Sequence, residues 1–191
     1  MTDNLIDILK GYISPRVISK ASSILEESED GVSKVISAFI PIILGGVANK
    51  SSDSKVMAKV MNLVNSTPTS GGILDNLASI LGSDSGSLKS VFCDKDTEPQ
   101  TSGFLNSLFG NKQNDIAEKV AHSSGIKNTS AEAIMDMVAT LVIGYFAKSK
   151  QSITGINSLL STQKNNIMAA YPSGLNLDFG KMDKEGERAA E

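Results

Sequence analysis

His122 is the only histidine in the 191-residue chain and Cys93 the only cysteine, and there is no tryptophan. Metal-assisted and hydrolytic chemistry need several His, Cys, Asp or Glu side chains converging on one point. With one copy each of the two most versatile residues, neither a zinc cluster nor a thiol–imidazole pair is expected. His122 precedes Ser123 and Ser124, a juxtaposition that suggests a serine nucleophile. Neighbouring residues on a helix point in different directions, however, and no Gly-x-Ser-x-Gly elbow is present. His122 is therefore expected to be a partly exposed helical side chain. Cys93 lies beside Asp94, Asp96 and Glu98, whose negative charge disfavours its thiolate. No catalytic residue and no metal site is expected, and the chain is read as not an enzyme.

The remaining candidates have structural explanations. Asp94-Lys95-Asp96-Thr97-Glu98 begins like a calcium loop, but its sixth position is Pro99 instead of glycine and its twelfth is Leu105 instead of glutamate. Glu26, Glu27, Glu29 and Asp30 suit the start of a helix, where carboxylates meet the positive end of its dipole. Gly45-Gly46 inside an apolar run, with Gly144 at a matching place further on, costs helix stability, about 1 kcal/mol per glycine relative to alanine. A close helix crossing, within the chain or at an interface, is the expected compensation. Met57, Met61, Met135 and Met137 fall at helical spacings and are expected to fill the core, with an adaptable groove as the alternative. No Walker loop and no dinucleotide fingerprint occurs, so no cofactor is expected.

The elements that must carry these residues are helical throughout. Aromatic residues make up only 5% of a chain that is 40% hydrophobic, so the core is built from Ile, Leu, Val, Met and Ala. A first helix is expected over Asn4 to Lys10, capped by Thr2 or Asp3 and stopped by Gly11. Ser14-Pro15 marks the next start. A third helix, apolar on nearly every side from Val32 to Val47, is expected at the centre, kinked or split by Pro41. Ser52 or Asp53 then caps a helix through Val64. Residues 73–81 are expected to form a short helix.

The predicted fold is all-α: a single domain over residues 1–172, whose halves 1–82 and 103–172 are joined by a loop over 83–102, with a flexible tail over 173–191. The opening pattern returns at a shift of 99 positions, with Lys20 meeting Lys119, Gly45 meeting Gly144 and Ala48 meeting Ala147. A duplication of one multi-helix unit around a shared core is the expectation. Thr129-Ser130-Ala131-Glu132 has the form of a capping box before an apolar helix over Ile134 to Ala147. Two further helices are expected at Ile153–Leu160 and Thr162–Ala170.

A net charge of −3 without a basic run argues against nucleic acid as partner. The first residues lack a basic stretch leading into an apolar core, so no secretory signal is expected. The most apolar run, Ala38 to Ala48, is shorter than the ~20 residues that span a bilayer, so no transmembrane segment is expected. The lone cysteine fits a reducing compartment.

Phe39-Ile40-Pro41-Ile42-Ile43-Leu44-Gly45-Gly46-Val47-Ala48-Asn49-Lys50, after Leu5-x-x-x-Leu9-x-Gly11, resembles the YidB-like bacterial domain of unknown function (DUF937). Phe109-Gly110-Asn111-Lys112, Ser123-Ser124-Gly125 and Val142-Ile143-Gly144 resemble its second half. The resemblance covers residues 4 to 150. The segments Leu159 to Lys164 and Tyr171 to Leu175 are similar to members from Bacteroidetes-type bacteria, in which a membrane helix and an OmpA-like domain often follow. The resemblance implies a non-catalytic interaction or scaffold module near the cell envelope, cytoplasmic or on its cytoplasmic face. Its expected partner is a protein, envelope-associated or a second copy of the chain in a homo-oligomer. The alternative expectation is a binder of an apolar small molecule or lipid in a cleft between the halves.

Overall fold

The computed structural model describes residues 4–66 and 100–171. Among them are eight helices and no strand: α1 (Leu5–Tyr12), α2 (Pro15–Leu25), α3 (Glu29–Asn49), α4 (Ser54–Ser66), α5 (Gln100–Phe109), α6 (Lys112–Ser124), α7 (Asn128–Lys148) and α8 (Ile153–Ala169). The all-α expectation holds for these residues. The helix expected over 73–81, most of the loop over 83–102, Cys93, the Asp94 to Glu98 stretch and the tail over 173–191 lie outside the described residues. Gln100 to Ser102, assigned to the loop from sequence, begin α5 instead.

Local chemistry sets the boundaries. Asn4 caps α1, its Oδ1 accepting from the Ile6 N–H at 3.1 Å, and the helix passes through Gly11 to Tyr12. The cap is thus Asn4, not Thr2 or Asp3, and one glycine does not stop a helix whose Leu5, Ile6 and Leu9 are buried. Pro15 opens α2, where its missing N–H costs nothing. Ser28 caps α3 through the Gly31 N–H, with Glu29 and Asp30 in the first turn. Asp53 caps α4 through the N–H groups of Lys55 and Val56.

Three further expectations are corrected. Pro41 does not split α3, which runs unbroken for 21 residues with Pro41 buried inside it; core packing on every side outweighs the one lost hydrogen bond. The box at Thr129 to Glu132 does not form. α7 starts at Asn128, so Ser130 lies inside the first turn and is buried, and Glu132 accepts from Asn128 Nδ2 instead. The two C-terminal helices are one, α8, because Ser161 and Thr162 do not interrupt it; Thr162 Oγ1 donates back to the Ser158 carbonyl.

The long helices α3 and α7 pack on each other and form the centre. Each has 21 residues, and they begin and end 99 positions apart (128 against 29, 148 against 49). α2 covers α3 and α6 covers α7. α4 packs on α7 and α5, whereas α8 packs on α3 and α1. Phe39, Phe104 and Phe146 are fully buried among Ile, Leu, Val and Met side chains, including Met57, Met135 and Met137. α3 and α7 are also long and apolar enough to cross a membrane by length and composition, although Ala38 to Ala48 alone is too short. In this fold most of each is buried against other helices.

Candidate functional site

Among the described residues, those singled out for chemistry do not converge. His122 is exposed on α6, and Ser123 Oγ donates to the Val120 carbonyl at 2.9 Å. Among the described residues no group of three His, Cys, Asp or Glu side chains is placed to hold a metal ion. Glu26 ends α2 in the left-handed conformation (φ 56°). Glu27 reaches across to the start of α7, where its Oε1 accepts from the Lys127 N–H at 3.0 Å and the Ser130 hydroxyl at 2.8 Å. Asp30 pairs with Lys34 on the surface.

The adjacent glycines of α3 admit aromatic rings. A Cβ built on Gly46 would lie 2.9 Å from the Phe109 ring, and one on Gly45 would lie 2.8 Å from Tyr171 Oη. Gly144 is buried in α7. A side chain in place of either α3 glycine would displace a ring, which explains their presence despite their low helix propensity.

Next to Gly45 the structure forms a cleft of about 270 Å³. One wall is the last turn of α3 and the turn after it: Gly45, Ala48, Asn49, Ser51 and Ser52. The other is a stripe along α8, with Asn157, Leu160, Ser161, Lys164, Ile167 and Met168, closed by Tyr171. These positions recur at three and four residues, the spacing of one helical face. The sequence signal was therefore present, but dividing α8 after Leu160 hid it. The lining contains one cation, Lys164, and no carboxylate, histidine or cysteine. Asn157 Oδ1 is buried with no hydrogen-bond partner, and burial pushes the Tyr171 phenol up. The cleft has groups that bind and orient: hydroxyls, amides and one ammonium.

A second polar feature lies on α7. Burial, with Glu132 one turn away, raises the Asp136 carboxyl to about 6 from its ordinary 3.8. Its Oδ1 is buried without a partner, while its backbone carbonyl accepts from Thr140 Oγ1 at 2.9 Å.

These features define an all-helical protein built around two long apolar helices. Residues 7–149 match the family of bacterial proteins of unknown function DUF937, and the chain belongs to that family. No curated protein and no solved structure matches it. α8 and Tyr171, which supply one wall of the cleft, lie beyond the matched stretch.

Proposed function

We propose that this protein is a non-catalytic interaction module, built from two related halves that form one rigid body, and that it works as a scaffold near the bacterial envelope on the cytoplasmic side. The observation that carries the reading is the reciprocal packing of the fourth helices. α4 rests on α5 and α7, and α8 rests on α1 and α3, so neither half closes its core alone. Such mutual bracing suits a body that presents fixed surfaces better than one that must open and close during turnover.

Smaller details support the two related halves. Glu26 and Gly125 are 99 positions apart and both end a helix in the left-handed conformation (φ 56° and 73°). Glu27 meets Ser130, and at the positions 99 away Ile126 lies against Gly31. The same two loops thus cross over each other, through a polar contact on one side and an apolar one on the other.

The YidB-like resemblance and the OmpA-associated setting of similar chains support the envelope location. The half-polar cleft suits a small polar molecule better than an apolar ligand or lipid. The test is crosslinked pull-down from the native host, with membrane and soluble fractions kept apart. The expected result is one stoichiometric protein in the membrane fraction, lost when an exposed apolar side chain of α8 (Ile153 or Met168) is replaced by glutamate. Recovery of no protein in either fraction would remove the reading's support.

A further inference from the structure

We propose that the cleft between α3 and α8 binds a small organic carboxylate that also carries a hydrogen-bond donor and an apolar side group. This chemistry is shared by a free amino-acid derivative and by the C-terminal residue of a peptide. The proposal rests on the cleft alone and stands whether or not the scaffold reading holds.

Charge gives the sign of the ligand. Lys164 is the one charged residue in the lining, is exposed and has no ion-pair partner among the described residues. With Ser51, Ser52 and Ser161 beside it, the cleft offers an ammonium and hydroxyls to an anion, and nothing in the lining repels one. The donor follows from Asn157. Its Oδ1 is buried and unpaired, and a buried acceptor without a donor is rare in folded proteins. Asn157 lines the cleft, and a rotation of its amide towards the ligand lets a ligand N–H or O–H restore the missing bond. The apolar group follows from Leu160, Ile167 and Met168 on the same stripe.

Size narrows the class further. A cleft of about 270 Å³ lies just under the range of roughly 300–1,000 Å³ typical of drug-sized ligands, which favours a molecule of amino-acid size over an acyl chain. Gly45 contributes by omission. A Cβ there would lie 2.8 Å from Tyr171 Oη, so glycine lets the phenol close that end.

The test titrates the full-length protein with N-acetyl-L-leucine, its C-terminal amide, and a tetrapeptide ending in leucine with a free carboxylate, following backbone amide signals by NMR. The acid is expected to shift signals of α8 and of the α3–α4 turn saturably. Its amide and the Lys164→Ala variant should each bind about tenfold more weakly. Asn157→Leu should lose binding while melting at the same or a higher temperature, because an apolar side chain leaves no polar atom unpaired. This combination separates a binding role from a structural one. Tighter binding of the peptide than of N-acetyl-L-leucine identifies a protein terminus as the source; tighter binding of N-acetyl-L-leucine identifies a free metabolite. The proposal is overturned if the acid gives no saturable shift at about 10 mM, if acid and amide bind alike, or if both variants bind like the wild type.

Discussion

Glu27 Oε1 lies 2.8 Å from Ser130 Oγ although 103 positions separate the two residues in the chain. The same oxygen accepts from the Lys127 N–H, so a carboxylate from the α2–α3 turn caps a helix whose own cap residue, Lys127, makes no side-chain cap bond. Removing a cap costs about 0.5–2 kcal/mol, and here the loss also leaves a buried hydroxyl short of its acceptor. Glu27→Ala should lower stability by about 1–2 kcal/mol in urea unfolding. A double-mutant cycle with Ser130→Ala should show coupling of at least about 0.5 kcal/mol. Strict additivity would mean that the contact carries no energy.

Glu26 adopts φ 56° at the end of α2, where glycine is the usual residue, and Gly125 does so at the end of α6. Glu26→Gly should therefore raise stability by up to about 1 kcal/mol. Thermal melting checks this; a clear fall in Tm would mean that the Glu26 side chain stabilises the fold in another way.

Gly46→Ala would place a methyl group against the Phe109 ring. Overpacking of this kind costs about 1–3 kcal/mol. Phe109→Leu in the same chain should recover part of the loss. If the double variant is no more stable than Gly46→Ala, the ring is not what the glycine accommodates.

Asp136 provides a pH dependence with a defined sign. Its carboxyl titrates near 6 in the fold against an ordinary 3.8, so the folded protein holds a proton that the unfolded chain has already released. The group leaves stability untouched below about pH 4 and lowers it as pH rises towards 6, after which the cost is constant. Because the side chain is partly solvated, the cost above pH 6 is about 1–2 kcal/mol. Asp136→Asn should be more stable than the wild type at pH 8 and nearly equal to it at pH 4. Parallel urea curves for the two proteins at both pH values would contradict this.

The reciprocal packing of α4 and α8 predicts complementation. Residues 1–82 and 83–191, expressed as separate chains, should reconstitute the helical fold on mixing, with a joint melting transition that neither shows alone. Two independently folded fragments that ignore each other would overturn the two-halves reading.

Much of this architecture was legible in the residues. Ser14-Pro15, the Glu29 and Asp30 carboxylates, and Asp53 are local signals, and each marks a helix start. The periodic burial of α3 followed from its composition. What failed depended on distant partners. Thr129 to Glu132 has the form of a capping box, but the carboxylate that accepts from Ser130 and from the Lys127 N–H is Glu27, in another turn. The stripe from Asn157 to Tyr171 is periodic, yet its meaning depends on the end of α3 lying opposite. Gly45 and Gly46 point to a close helix crossing when read from sequence, and the sequence does not say that what lies against them is the rings of Tyr171 and Phe109.

On the two-halves reading, the contact between α3 and α7 is what a subunit boundary becomes when both subunits share one chain. A single unit with its fourth helix swung onto a second copy would then form the same centre as a symmetric dimer. Fusing the copies frees each side to change alone. Pro41 on α3 stands against Thr140 on α7, and the polar Glu27–Ser130 contact stands against the apolar Ile126–Gly31 one. A homodimer, bound by one sequence to repeat every substitution twice, could keep neither difference.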